Sequence, residues 1–204
     1  EPVETYEVNV IGTAIVLEVA RSCSNLKAII NITSDKCYEN EEIDKSYKED
    51  DPMGGHDPYS SSKGCAELVT SAYRRSFLKT QNLGLASVRA GNVIGGGDWA
   101  SDRLIPDILR SFELNKSVIV RNPEATRPWQ YVLEPLSGYL LLAQRLYDDY
   151  EKYSEGWNFG PHEKDIRSVR WILDKMISNW PNASWSLDDN ANPHEARFLK
   201  LNIS

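Results

Sequence analysis

Tyr59 and Lys63 stand four residues apart in "YSSSK", just after the helix-start signal "HDP". At helical spacing both side chains share one face. A free phenol titrates near about 10, and an adjacent ammonium favours its ionised form. Lowering that value to roughly 7 takes about 4 kcal/mol, within reach of one desolvated cation plus a helix N-terminus. A tyrosine so tuned removes a proton from a hydroxyl while hydride leaves the same carbon. The spacing by itself also describes an ordinary surface pair, so the surroundings must decide.

A second group precedes it. "NITSDKCYEN" begins apolar and ends polar, which puts Ser34, Asp35 and Lys36 where a strand opens into a loop. An acid and an amine side by side form either a charged turn or a pair that a reaction needs in one place.

The elements that must position these groups are legible as a pattern. Val8, Ile11, Ile15 and Val19 form a helical stripe after Pro2. "LKAIINIT" (26–33) has the length and composition of a strand buried on both faces. A helix is expected from Pro58 to about Lys79, and "LGLASVRAGNV" is a second buried strand. This alternation implies a parallel sheet. Beyond residue 91 the elements shorten: a helix near 105–114, strand "SVIV", an amphipathic helix over 133–150, strand "GWNFG", a helix near 168–179 and strand "SWSL". The expected fold is α/β, the C-terminal half of a Rossmann-type doubly wound parallel sheet (1–91) plus a smaller α/β substrate-binding lobe (92–204) with some segments returning to the sheet. No G-x-G-x-x-G follows a strand, so the glycine-rich part of a dinucleotide site is expected to precede residue 1.

Composition narrows the class. With 204 residues, 41% of them hydrophobic, the chain can bury a core. A net charge of −7 argues against nucleic-acid backbones or anionic membranes as partners. No apolar run approaches the roughly 20 residues of a membrane span. Cys23, Cys37 and Cys65 lack metal or redox spacing, which fits reduced thiols in a cytoplasm. His56, His162 and His194 have no metal-ligand spacing, and no metal is expected.

A buried strand ending "TSDK", followed by Tyr-x-x-x-Lys on the next helix, resembles the extended short-chain dehydrogenase/reductase superfamily. "TSDKCYEN", "DPMGGHDPYSSSKGCAELV", "RAGNVIGGGDWASDRLIPD", "RPWQYVLEPLSGYL" and "WNFGP" are together similar to the CDP-glucose 4,6-dehydratases over most of residues 5–165. One departure is Tyr131, where that family often has His.

The resemblance implies NAD as cofactor and CDP-glucose as substrate. By it, Tyr59 is the base at the C4 hydroxyl, Lys63 holds the nicotinamide ribose and depresses the Tyr59 pKa, and Ser34 bonds the C4 oxygen. C4 oxidation acidifies the C5 proton, water leaves across C5–C6, and hydride returns to C6 to give CDP-4-keto-6-deoxyglucose. Related dehydratases carry an Asp-Glu pair after the Ser/Thr; here Asp35 takes the place of the acid and Lys36 that of the C5 base. A lysine serves as base only when neutral, so Lys36 as an electrostatic partner of Asp35 stays open. Arg127 matches the diphosphate position, and Asn92, Arg103, Leu104, Arg121 and Asn158 match nucleotide-contacting segments. The resemblance also implies a homodimer through the helices near 5–22 and 58–79. Two other readings are a nucleotide-sugar 4-epimerase, which needs neither Asp35 nor Lys36, and a catalytically silent binding module. Residues 1–204 alone are expected to be inactive.

Overall fold

The computed structural model describes residues 1–188 and 198–204. In chain order, α1 (Pro2–Tyr6) runs through a wide π turn, Glu7–Ile11, into α2 (Gly12–Arg21). β1 (Ala28–Ile32) follows, then α3 (Pro58–Tyr73), β2 (Gly84–Ala90) and β3 (Val93–Ile94). Next come α4 (Leu104–Glu113), β4 (Val118–Val120), β5 (Thr126–Arg127) and β6 (Gln130–Tyr131). The chain continues with α5 (Leu133–Asp148), α6 (Tyr150–Tyr153), β7 (Gly156–Phe159), β8 (Arg167–Ser168), α7 (Val169–Ile177) and β9 (Trp185–Leu187).

β1, β2 and β7 form one parallel sheet in that order, with Ile32 opposite Val88 and Ala90 opposite Phe159. Helices cover both faces. α5 packs Tyr139, Leu142 and Leu146 against Ala86 and Val88, and Leu17 of α2 meets Leu78, Leu83 and Leu85 on the other side. This is the parallel, doubly covered α/β architecture expected from the alternation of elements. "GWNFG" supplies β7, so the helix and strand after Leu133 return to the sheet.

One expectation is corrected. Only β2 is buried on both faces; in β1 Ile32 is 53% exposed, because among the described residues β1 pairs along one edge only. The Val8–Ile11–Ile15–Val19 stripe is exposed, and the helix turns Leu17 and Ala20 inward.

A separate core forms around Ile108, Phe112, Val118, Val120, Ala125, Val169 and Leu173, joining α4, β4 and α7. β4 pairs with β9, β3 with β6, and β5 with β8. Gln130 fastens this lobe to the sheet: its backbone N–H donates to the Asn92 carbonyl (2.9 Å) and its side-chain amide to the Phe159 carbonyl (2.9 Å). The lobe thereby faces the C-terminal ends of the strands, where open parallel sheets bind ligands. Among the described residues no helix is long and apolar enough to cross a membrane.

Candidate active site

β1 ends at Ile32, and the next residues turn sharply. Ser34 is extended and caps a single 3₁₀ turn, Asp35–Cys37, by accepting the Lys36 backbone N–H (3.2 Å). Its hydroxyl donates to Asp35 Oδ1 (3.1 Å). The turn drives Asp35 inward, leaving it 3% exposed, and its Oδ2 is buried without a hydrogen-bond partner. Burial pushes the carboxyl up to about 6, against the Ser34 hydrogen bond and the charges of Lys36 and Arg127. Lys36 is exposed.

α3 begins where the sequence placed it. Asp57 caps it, accepting the Tyr59 and Ser60 backbone N–H groups at 2.9 and 3.0 Å and the Ser60 hydroxyl at 2.6 Å. Such a cap contributes about 1 kcal/mol and fixes the first turn, which carries Tyr59. Tyr59 and Lys63 share one face, with the Lys63 ammonium 5.8 Å from the Tyr59 ring centroid.

The Tyr59 pKa lies above its ordinary value. Burial of the phenol end raises it, and the Ser34 hydroxyl and the Arg103 charge offset only part of that. Lys63 is itself desolvated, which lowers its own pKa. Among the described residues its ammonium has no hydrogen bond or ion pair. A half-buried cation left in this way fits the ribose hydroxyls of a dinucleotide such as NAD.

The residues assigned from the lobe divide. Arg127 is 5% exposed, bonds the Thr126 carbonyl (2.8 Å) and lies close enough to act on the Asp35 carboxyl. Arg103 stands immediately before α4, and its charge acts on Tyr59. Asn92 is half-buried just beyond β2, and Arg121 is exposed just beyond β4. Leu104 packs on the lobe core, as does Trp129, whose indole N–H donates to the Arg167 carbonyl (3.0 Å).

Asn158 is the exception. Its Oδ1 accepts the Tyr38 hydroxyl (2.6 Å), and its Nδ2 donates to the carbonyls of Tyr47 (2.9 Å) and Asn202 (3.0 Å). Its amide is therefore committed to the protein, and it shapes the loops beside the site. His194 lies outside the described residues; among those described, no His/Cys/Asp/Glu group is arranged to hold a metal.

Sequence reasoning missed three contributors. Tyr139 lies near Asp35 and Gly91 beside it, with no periodicity to mark either. The third is a buried ion pair between Glu67 and Arg89 (2.8 Å). Its signal was present in "LGLASVRAG": an arginine inside a buried strand demands a buried partner.

Together these groups offer two proton-handling sites. Ser34 and Tyr59 bring two hydroxyls together, with the Lys63 ammonium beside the phenol ring. Asp35 keeps its proton to higher pH than an ordinary carboxyl and has an oxygen unbound, as an acid for a leaving group requires.

The NAD dependent epimerase/dehydratase family matches residues 1–155. Over its whole length the chain is 61% identical to the CDP-glucose 4,6-dehydratase of Salmonella typhimurium, and it spans 58% of that protein. Its fold is similar to that of dTDP-glucose 4,6-dehydratase from Bacillus anthracis, solved with NAD. That likeness has a TM-score of 0.80 at 21% identity and covers all of this chain and 61% of that one. UDP-glucuronic acid 4-epimerase from Bacillus cereus, solved with UDP-glucuronic acid and NAD, gives a TM-score of 0.78 at 19% identity, covering 96% of this chain and 58% of that one. These two likenesses speak for the fold. The family match takes in both the Ser34–Asp35 strand end and the Tyr59–Lys63 helix, and it covers most of the sequence: the chain belongs to the NAD dependent epimerase/dehydratase family.

Proposed function

We propose that the protein containing this chain dehydrates CDP-glucose to CDP-4-keto-6-deoxyglucose, a lyase reaction that uses NAD. The observation that carries this reading is the buried, protonatable Asp35 directly after Ser34. A 4-epimerase has no leaving group to protonate and no use for such an acid. The identity to the Salmonella enzyme supports the choice of a CDP-linked hexose.

When bound, NAD supplies the hydride acceptor at C4 and the donor at C6, with Lys63 and Tyr59 holding its ribose. Tyr59 takes the C4 hydroxyl proton while Ser34 hydrogen-bonds the same oxygen. The resulting ketone acidifies the C5 proton, which Lys36 removes. Asp35 gives its proton to the departing C6 hydroxyl, and water leaves. Arg127 serves the diphosphate end, with Asn92, Arg103, Leu104 and Arg121 along the nucleotide. Residues 1–91 belong to the cofactor domain and 92–204 mainly to the substrate lobe. A cytoplasmic homodimer completes the reading, supported by three unpaired thiols and by the exposed apolar face of α1 and α2.

The test is incubation of the full-length protein with CDP-glucose and NAD. A 4-keto-6-deoxy sugar is expected; a C4-inverted hexose would establish an epimerase, and an unchanged substrate a silent binding module.

A further inference from the structure

Glu67 sits on α3 one turn beyond Lys63 and two beyond Tyr59, on the same side of the helix. It is 4% exposed, and four hydrogen bonds fill its carboxylate. Oε1 accepts the Thr33 hydroxyl (2.5 Å) and Arg89 Nε (3.0 Å). Oε2 accepts the Ser87 hydroxyl (2.6 Å) and Arg89 Nη2 (2.8 Å). Thr33 is the residue immediately before Ser34, while Ser87 and Arg89 stand on β2 next to it. One side chain of the tyrosine helix thus grips both strands whose ends carry Ser34, Asp35 and Gly91.

The grip extends outward. Arg89 Nη1 donates to the Tyr38 hydroxyl (2.7 Å) and the Glu49 carbonyl (2.9 Å), and Tyr38 donates to Asn158. Backbone space has been cleared for it: a Cβ on Gly156 would come 2.4 Å from Arg89 Nη2. One turn before Glu67, a Cβ on Gly64 would come 2.7 Å from the Gly54 carbonyl oxygen, so the helix also lies directly on the loop leaving the 3₁₀ turn.

We propose that Glu67 is a positioning residue for the reaction, setting the distance between the Ser34–Asp35 strand end and the Tyr59–Lys63 helix. The proposal rests on the dehydratase reading for its chemistry, but it concerns the C4 oxidation that an epimerase shares. A carboxylate with four directional bonds to two strands allows α3 neither to slide nor to rotate, and a displacement of about 1 Å at reacting groups costs about a hundredfold in rate.

A purely stabilising ion pair would behave differently. Replacing a buried pair by apolar groups of similar volume is often neutral for stability, whereas removing one partner costs about 3–5 kcal/mol. The experiment therefore compares Glu67→Gln, Thr33→Val and the double variant Glu67→Leu/Arg89→Met in the full-length protein. It reads melting temperature, kcat and KM for CDP-glucose, and the pH profile of the first reduction of NAD.

Glu67→Gln is expected to lower kcat about a hundredfold with KM little changed, and to move the alkaline limb of the profile as Tyr59 leaves Ser34. Thr33→Val, which removes one hydroxyl and keeps the fold, is expected to lower kcat about tenfold without a large loss of melting temperature. The double variant is expected to melt like the wild type and remain slow. Recovery of kcat together with melting temperature in the double variant would overturn the proposal. So would full kcat and an unmoved pH profile in Thr33→Val, which decides the matter if Glu67→Gln does not fold. A wild-type protein that yields a C4-inverted sugar defeats the dehydratase reading alone, because the same variants still report on C4 oxidation.

Discussion

Asp35 Oδ2 borders the space a side chain at Gly91 would need: a Cβ there would stand 2.9 Å from that oxygen and 2.3 Å from Pro128 Cγ. Pro128 is fully buried and follows Arg127, so it has little room to yield. Gly91→Ala must then push either the acid or the Arg127–Pro128 segment out of place. Overpacking of this kind costs about 1–3 kcal/mol. The expected outcome is a melting temperature lowered accordingly and an elimination step slowed about a hundredfold, with the C4 oxidation slowed much less. Single-turnover measurements that separate NADH appearance from loss of the C6 oxygen check this. Equal slowing of both steps would place the effect elsewhere.

Asp35 carries a pH signature of its own. Its carboxyl binds a proton more tightly in the folded chain, at about 6, than in the unfolded one, at 3.8. The folded state therefore has the full benefit of protonation below the unfolded value and loses it as pH rises through the folded value. The loss amounts to about 3 kcal/mol over that window. Asp35→Asn does not titrate, so its stability relative to the wild type should improve by about 2 kcal/mol between pH 4 and pH 7. Denaturant melts at the two pH values measure this. In the same variant the limb near pH 6 should vanish from kcat/KM for elimination.

Lys36 is adjacent to Asp35 but exposed, and the two readings of it separate at C5. If it removes the C5 proton, Lys36→Met leaves NADH formation at C4 intact. Loss of deuterium from C5-labelled CDP-glucose should then slow by about 10²–10⁴. If Lys36 is only a charge beside Asp35, C5 exchange continues near the wild-type rate and the acid limb near pH 6 moves instead. Proton NMR of the product distinguishes them.

What the sequence revealed depended on how local the cause was. Asp57 and Pro58 announce α3 because a cap and a first-turn proline act within four residues. The apolar run through β2 announces its burial for the same reason. The side on which Val8, Ile11 and Ile15 would lie was not legible, since it depends on what else packs against the helix. Asn158 was placed along the nucleotide by resemblance, and its bonds to Tyr38, Tyr47 and Asn202 come from loops far away in the chain, which the sequence does not reveal. The proton affinity of Tyr59 was also out of reach. The Y-x-x-x-K spacing brings Lys63 alongside, but burial raises the pKa against the pull of groups 25 and 44 positions away, Ser34 and Arg103.

That balance at Tyr59 supports a last prediction. Burial raises its pKa, while Ser34 and Arg103 pull in the opposite direction. Removing the hydroxyl in Tyr59→Phe should abolish the base and cut C4 oxidation by about 10²–10⁴. Because the residue is 42% exposed and its cap on Asp57 uses only the backbone, the melting temperature should hardly change. Ser34→Ala and Arg103→Met should each leave the phenol in place but move the rising alkaline limb of C4 oxidation to higher pH, since each removes a group favouring the ionised form. Lys63→Met should weaken NAD binding as its main effect, because its half-buried ammonium has no hydrogen bond or ion pair among the described residues. A Lys63 variant that moves the alkaline limb more than the Arg103 variant would reverse this ranking of the two cations.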